Sequence, residues 1–158
     1  MCNDFGNNIP YSDYLAAFSQ TRIPVKWPSA APNLEPREDI WPTDRAPVIR
    51  RLEDGTNEFS ELRWGLPSGA KSPKTKWKFT KAGEDWFCFA GLWRPMVAGG
   101  EAFTLLTTEP SADVAPIHDR QMVVLERSDW SVWLEQTENE TDLLRALLAG
   151  SLKVEQVR

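Results

Sequence analysis

Cysteine and histidine are scarce in this sequence, which contains only Cys2, Cys88 and His118. Three such residues make a poor metal site, so we expect no metal and no cofactor. The two cysteines lie far apart in the chain, and a structural disulfide between them is not expected in a reducing compartment. Any chemistry at these residues must therefore come from single side chains.

Long apolar runs are also absent. No stretch approaches the ~18 to 20 consecutive apolar residues that a membrane span needs, and the N-terminus lacks the basic and apolar regions of a signal peptide. The sequence therefore predicts a soluble, cytoplasmic protein without a membrane partner. Its 158 residues, 41% of them hydrophobic, suffice for one core, and we predict a single domain over residues 1–158.

Positive charge is in short supply, because 18 Lys and Arg against 23 Asp and Glu give a net charge of −5. Lys and Arg neutralise phosphates in most non-specific nucleic-acid binding, so this balance argues against indiscriminate binding. A DNA site would need a local basic patch, and a solvated loop and strand edge explains the best candidate equally well. That candidate consists of Lys71, Lys74, Lys76, Lys78 and Lys81.

The pattern of apolar residues and turns predicts a single-domain α+β fold, mainly antiparallel β, with a few short helices. A proline-rich stretch over residues 24–47 predicts an extended segment. Turns are predicted at Asp54-Gly55 and Ala82-Gly83. Strands are predicted at residues 48–52, 59–64, 76–80, 86–93, 102–107, 121–125 and 152–157.

Three short helices are predicted from caps and helical spacing. Ser12 would cap the first, with Leu15 and Phe18 on its apolar face. Ser128 would cap the second, and Thr141 would begin a third that ends at Gly150. The apolar stripes of the last two are interpreted as core; their residues are Trp130, Trp133, Leu134, Leu143, Leu144, Leu147 and Leu148.

Cys2 follows the initiator methionine, and a small side chain at position 2 normally permits removal of that methionine. The chain would then begin with an α-amine of pKa ~7.7 to 8.0 beside a thiol of pKa ~8.5, both partly deprotonated near neutral pH. An aldehyde can form an imine with the amine, and the thiol can close onto the imine carbon to give a thiazolidine ring. Taken alone, a cysteine at position 2 is a weak signal, and a structural or incidental role is the favoured interpretation.

His118 lies in the segment Ile117-His118-Asp119-Arg120, directly before an apolar strand. Its imidazole can carry a proton near neutral pH, and Arg120 can hold a phosphate. A simple hydrogen bond is the ordinary alternative for His118. An ion pair with Asp119 or Glu109 is the alternative for Arg120.

Short segments follow one another along the chain in a fixed order. They are Met1-Cys2-Asn3, Ala46-Pro47-Val48-Ile49-Arg50, Leu62-Arg63-Trp64-Gly65-Leu66-Pro67, Phe89-Ala90-Gly91-Leu92-Trp93, Leu106-Thr107-Thr108-Glu109-Pro110 and Ile117-His118-Asp119-Arg120. In this order they resemble the SOS-response-associated peptidase (SRAP) family of abasic-site processing proteins. The resemblance covers nearly the whole chain and implies an SRAP-like barrel or sheet.

The resemblance implies that the protein acts on single-stranded DNA containing abasic sites, without a cofactor and as a monomer, and lies at the nucleoid when bound. Cys2 would bond to the ring-opened sugar aldehyde and form a covalent thiazolidine crosslink, with His118 as an acid or base at the sugar. The family name implies peptidase chemistry, and lyase chemistry would accompany it. Core packing is the alternative for Trp64. The implied DNA-binding residues are Arg63, Trp64, Thr107, Thr108 and Arg120.

The chain departs from the family between about residues 68 and 75, where a central stretch with an active-site Asn and Glu is absent. The resemblance therefore implies impaired proton transfer. Glu61, Glu84 and Glu109 are the possible substitutes, and Asp4 stands where the family often has an arginine. The alternatives to an enzyme are a non-enzymatic remnant that binds single-stranded DNA and an acidic protein-interaction domain.

Overall fold

The computed structural model describes residues 4–65, 75–136 and 139–157. None of the helices in these ranges is long and apolar enough to cross a membrane. The strands are β1 (Phe5–Asn7), β2 (Arg37–Ile40), β3 (Arg45–Arg51), β4 (Asn57–Trp64), β5 (Trp77–Lys81), β6 (Cys88–Phe89), β7 (Gly91–Pro95), β8 (Glu101–Leu105), β9 (Thr107–Thr108), β10 (Gln121–Met122), β11 (Val124–Leu125) and β12 (Leu152–Gln156). The helices are α1 (Tyr11–Thr21) and α2 (Trp130–Glu135), with 3-10 turns at Arg127–Asp129 and Glu140–Leu143.

The largest sheet has four strands in the order β3-β4-β8-β7. The predicted hairpin is confirmed, since β3 and β4 pair antiparallel from Arg45↔Arg63 to Arg51↔Asn57. Gly55 adopts a φ of +82° in the connecting loop, a conformation that glycine tolerates without steric strain. The pair β7–β8 is antiparallel and β4–β8 is parallel, so the expected mainly antiparallel α+β architecture is confirmed.

The sheet curls without closing into a barrel in the described part of the chain. Its two edge strands, β3 and β7, both line a cavity of about 370 Å³. Side chains bridge the opening: Trp93 Nε1 donates to the Arg51 carbonyl at 3.1 Å, and the Arg50 guanidinium lies 4.3 Å from the centroid of the Trp93 ring. The expected barrel or sheet is therefore an open, curled sheet.

Three long predicted strands are each broken into two short ones at a single junction. Ala90 N–H donates to the Val123 carbonyl, Val123 N–H to the Leu106 carbonyl and Leu106 N–H to the Ala90 carbonyl, at 2.9 to 3.0 Å. This cycle of hydrogen bonds satisfies the buried backbone where the strands change partners. Beyond it, β9 pairs with β10 and β6 with β11.

The buried side chains form two hydrophobic clusters. The helix core consists of Ala17, Phe18, Ile23, Ala90, Val123, Leu125, Trp130, Leu134 and Leu143. The β core consists of Ile40, Ala46, Leu62, Trp64, Phe103 and Met122. α1 and α2 therefore pack in the first cluster, and β2, β4 and β10 meet in the second.

The helix predicted from Thr141 to Gly150 is wrong. Only the 3-10 turn Glu140–Leu143 forms, and the next residue leaves helical geometry at φ −79°, ψ 52°. The Asp113 carboxylate accepts N–H bonds from Gly150 and Leu152 at 2.8 to 3.0 Å. These bonds direct the chain into β12, and Leu148, assigned to the core from its spacing, is 84% exposed.

The predicted serine caps are also wrong. α1 starts after Pro10, whose fixed φ suits a helix start, and Ser12 instead donates to the neighbouring Asp13 carboxylate. α2 is preceded by Asp129 in helical geometry, because a 3-10 turn leads directly into it. The helices form where their aromatic faces pack, and no side-chain hydrogen bond caps the start of either one.

Candidate functional site

Two segments that carry predicted site residues reach the β core. Phe5 packs against this core, which contains Met122, and its ring lies 4.9 Å from that of Trp64. Met122 follows His118 by four residues in the sequence, and Phe5 follows Cys2 by three. Cys2 itself lies outside the described residues.

His118 ends a tight turn, in which its N–H and that of Ile117 donate to the Val114 carbonyl at 2.9 and 2.8 Å. Its Nδ1 accepts the Arg120 N–H at 3.0 Å and lies 3.0 Å from an Asp119 carboxylate oxygen. These two contacts orient the imidazole within the turn, and its role as an acid or base stays a prediction.

Arg120 is fixed to the strand beside it. One guanidinium nitrogen donates to the Thr107 carbonyl at 2.8 Å and to the Thr107 hydroxyl at 3.0 Å, while the other reaches Glu109 at 3.2 Å. The side chain is 45% exposed. Since β9 and β10 pair at Thr107↔Met122, the structure brings Thr107, Arg120 and the His118 turn together.

The remaining predicted DNA-binding residues are less exposed than Arg120. Trp64 is 6% exposed, which fits the core alternative, and its contact with DNA stays a prediction. Arg63 is partly buried on the same strand, and its Nε has no hydrogen-bond partner among the described residues. Thr108 donates its hydroxyl to the Leu144 carbonyl at 3.1 Å.

The sequence matches the SOS response associated peptidase (SRAP) family over residues 68–158, more than half of the chain. The chain belongs to the SRAP family. The resemblance of its motifs to that family is therefore confirmed. No curated protein is similar enough in sequence to be matched.

Solved structures support the fold of this SRAP protein. A protein from Bordetella bronchiseptica is 19% identical with a TM-score of 0.65, over 99% of this chain and 100% of that one. A protein from Bacteroides thetaiotaomicron is 14% identical with a TM-score of 0.70, over 99% and 92% of the two chains. A phage-related protein from B. bronchiseptica is 17% identical with a TM-score of 0.60, over 99% and 94%. The TM-scores show a shared fold, and the identities are too low to show more than that.

The basic patch predicted for this SRAP protein is wrong at Lys76 and Lys81. Lys76 forms ion pairs with Asp39 and, at 3.4 Å, with Asp4, and Lys81 is 7% exposed between Glu84 and Glu126. Lys78 is exposed, whereas Lys71 and Lys74 lie outside the described residues. The charges of these two lysines are neutralised by nearby carboxylates. Asp4 and Asp39 pair with Lys76, and Glu84 and Glu126 pair with Lys81.

Of the three glutamates considered as substitutes, one lies at the site. Glu109 contacts Arg120 and is 84% exposed. Glu84 is held by Lys81 and Arg127, and Glu61 faces Pro47 across the β3–β4 pair. Of these three glutamates, Glu109 is therefore the one that contacts the segment containing His118, through its ion pair with Arg120.

Burial disfavours the reactive thiolate form of Cys88 near neutral pH. Burial raises the pKa of its thiol to about 12, so only a very small fraction is thiolate at pH 7 to 8. The neighbouring Tyr14, whose pKa is raised by burial, gives no help as a base. Among the described residues, no three His, Cys, Asp or Glu side chains gather to hold a metal ion.

Sequence reasoning missed one group of charges, formed by Asp4, Asp39 and Lys76. Asp4 was notable only for departing from the family pattern, and Lys76 only as part of the basic run. The signal that could have found the group is the proximity of Asp4 to Cys2, combined with an antiparallel pairing of β1 with β2. That pairing is not visible in either strand alone.

Proposed function

We propose that this SRAP protein captures abasic sites in single-stranded DNA through Cys2. The observation that supports the proposal is that Phe5, three residues after Cys2, packs against the core that contains Met122, two residues after Arg120. Family membership supports a DNA-directed role. The high pKa of the Cys88 thiol leaves Cys2 as the cysteine able to react.

The proposed reaction joins the α-amine and thiol of Cys2 to the ring-opened sugar aldehyde. The amine nitrogen adds to the aldehyde carbon, the oxygen takes a proton, and loss of water gives an imine. The thiolate sulfur then bonds to the imine carbon while the nitrogen takes a proton, which closes a thiazolidine. His118 is proposed to carry protons at the sugar, and the contacts of its Nδ1 with the Arg120 N–H and the Asp119 carboxylate would orient the ring for this role.

Arg120 is proposed to hold a backbone phosphate in its fixed orientation against Thr107. A phosphate would replace Glu109, whose exposed ion pair with Arg120 is worth little in water. The other residues proposed to line the DNA-binding groove are Arg63, Trp64, Thr107 and Thr108. Buried as it is, Trp64 would contribute through the shape of the site.

We further propose that residues 1–158 act as one SRAP domain lacking a central family segment between about residues 68 and 75. Proton transfers would then be slow, whereas aldehyde capture by the amine and thiol of Cys2 would persist. Peptidase and lyase activities belong to the same proposal. A non-enzymatic DNA-binding remnant is less favoured because ion pairs neutralise Lys76 and Lys81.

The test mixes protein, shown by intact mass to begin at Cys2, with single-stranded DNA bearing one abasic site. A denaturation-resistant adduct is expected, and Cys2→Ala should abolish it while Cys88→Ala should not. His118→Ala should change the rate or the reversal of the adduct. Full crosslinking by Cys2→Ala would contradict the proposal, and salt-sensitive binding without any adduct would favour the remnant.

A further inference from the structure

The cavity inside the curled sheet lies between the two hydrophobic clusters. Its volume is about 370 Å³, within the range of small-molecule pockets, roughly 300 to 1,000 Å³. Phe18 and Trp130 of the helix core and Phe103 of the β core all line it. His118 and Arg120 are not among the described residues that line it. The cavity is therefore a place in the fold that the proposed DNA chemistry does not use.

The cavity is open to a ligand because the sheet does not close. β3 and β7 are the edge strands of the four-stranded sheet, and both line the cavity. Across the gap between them, the Trp93 Nε1 donates to the Arg51 carbonyl, so a side chain spans the space where a strand would pair. Leu92 of β7 also lines the cavity and is 54% exposed. A small molecule can therefore enter from the surface at this gap.

Aromatic side chains dominate the lining of the cavity. Apolar cavities exclude water and take up apolar molecules such as benzene, and aromatic rings stack on flat ligands. The lining thus favours a flat, apolar occupant. Its aromatic members outside the two clusters include Phe5, Phe59, Trp86, Phe87, Phe89 and Trp133.

The lining also contains a buried hydrogen-bond donor without a partner. Trp130 is 2% exposed, and its Nε1 has no hydrogen-bond partner among the described residues. In contrast, the Tyr14 hydroxyl, which also lines the cavity, donates to Asn7 Oδ1 at 2.7 Å. An indole N–H donates and cannot accept, and a buried donor that stays unpaired costs free energy. An occupant with a hydrogen-bond acceptor would remove that cost.

The charged residues of the lining offer no surplus charge. Arg50 pairs with Glu58 and Glu101 at 2.7 and 2.8 Å. Arg51 and Glu140 carry opposite charges, which balance each other. An ionic ligand would lose its hydration here without gaining a free counter-charge. The lining therefore favours a neutral ligand.

We infer that this cavity binds a flat, neutral, mainly apolar molecule with a carbonyl oxygen that accepts the Trp130 N–H. The aromatic lining supplies most of the affinity, and the indole N–H selects for the acceptor. Binding requires neither Cys2 nor DNA. It is therefore independent of the proposed capture of abasic sites, and either can fail without the other.

The experiment uses prodan, a neutral naphthalene ketone whose fluorescence shifts to the blue in apolar surroundings. With the full chain, prodan should give a saturable, blue-shifted emission at one site per molecule. Displacement of prodan then measures the affinity of the matching naphthalene carboxylate, which should bind at least about tenfold more weakly because its charge is unpaired. An absence of saturable binding, or equal binding of the ketone and the carboxylate, would overturn the inference.

Trp130→Phe tests the hydrogen bond, because it keeps an aromatic ring and removes the N–H. Affinity for prodan should fall about fivefold, as for the loss of one hydrogen bond. Affinity for the matching propyl naphthalene, in which a methylene replaces the carbonyl, should not change. Trp77→Phe alters an indole that is 37% exposed and does not line the cavity, and it should affect neither ligand. Equal losses of both ligands in Trp130→Phe would refute the role of the N–H.

A second variant locates the site without altering Trp130. Cys88→Leu adds bulk to a residue that lines the cavity and should weaken binding of both naphthalenes at least about tenfold, as extra methylenes in an apolar pocket do. Val97→Leu adds bulk at a fully exposed position and should change neither affinity. Thermal melting establishes that each variant is folded. Unchanged prodan binding by folded Cys88→Leu would show that the ligand binds elsewhere.

Discussion

Two regions of this molecule are held together by different interactions. In the helix core, Trp130 is 2% exposed and stacks on Phe18 with ring centroids 4.9 Å apart. In the region around Arg120, the side chains of Arg120 and Glu109 are 45% and 84% exposed. The first region consists of close apolar contacts, and the second of charges that water reaches.

This difference separates stability from reactivity. Buried aromatic area gives most of the folding free energy, whereas exposed ion pairs give little. The exposed ion pair between Arg120 and Glu109 can therefore change partners without unfolding the protein. We expect substitutions at the helix core to alter stability first, and substitutions at the site to alter binding and rate first.

The largest effect is expected from Trp130→Ala. It removes a buried ring that contacts Phe18 and Trp86, and large-to-small changes of this kind cost about 3 to 5 kcal/mol. Chemical denaturation should measure that loss, whereas Leu148→Ala, at an 84% exposed position, should change stability by about 0.5 kcal/mol or less. A small loss of stability in Trp130→Ala would contradict the assignment of stability to the helix core.

A smaller loss is expected from Lys81→Ala. Removing this buried cation leaves Glu84 and Glu126 facing each other. Breaking a buried pair costs about 3 to 5 kcal/mol; we expect roughly 2 to 3, because Glu126 is 43% exposed. Lys78→Ala, on the same strand but exposed, is the matched control, and equal losses for the two variants would be inconsistent with the ion-pair network.

The sequence was sufficient to predict the elements that follow local rules. The β3–β4 hairpin was predicted because its turn and flanking apolar residues are adjacent in the chain. The pairing of β5 with β12, from Trp77↔Gln156 to Lys81↔Leu152, joins segments more than seventy residues apart, and nothing local encodes it. Whether Lys76 and Lys81 are paired or free to bind phosphate depends on such distant partners, so the basic patch was predicted wrongly at these two residues.

The same limit applies to the leucine-rich segment and to the site. Helical spacing favoured a helix from Thr141, but the Gly150 and Leu152 N–H groups donate to the Asp113 carboxylate, and these hydrogen bonds direct the chain into β12. His118, Arg120 and Thr107 were identified from motifs, and their contacts agree with a shared location. The group around Asp4 was missed because its members come from three separate segments.

At the site, Arg120→Ala should weaken binding to single-stranded DNA by about tenfold, because one phosphate contact is lost. The slope of log affinity against log salt should decrease in magnitude by about 0.7, while stability changes by about 0.5 kcal/mol or less. Arg145→Ala removes a 58% exposed arginine that pairs with Asp129 and should change neither quantity. Salt titrations of binding provide the measurement, and an unchanged slope for Arg120→Ala would remove this residue from the DNA site.

The smallest effect is expected in the dependence of stability on pH. The pKa of Asp4 is raised in the folded protein, so its ionisation is less favourable there than in the unfolded chain, and stability declines as pH rises through the folded pKa. Asp4→Asn should therefore reduce the decline in melting temperature between pH 4 and pH 7.5. An unchanged decline would show that Asp4 titrates normally in the folded state.

The most direct test of the account is to locate the covalent bond. After reaction with abasic single-stranded DNA, the protein and the DNA are digested and the peptides are examined by mass spectrometry. The account predicts a sugar remnant on the N-terminal peptide, attached at Cys2 with the mass of a thiazolidine. A remnant on Cys88 or on a lysine, with the N-terminal peptide unmodified, would contradict it.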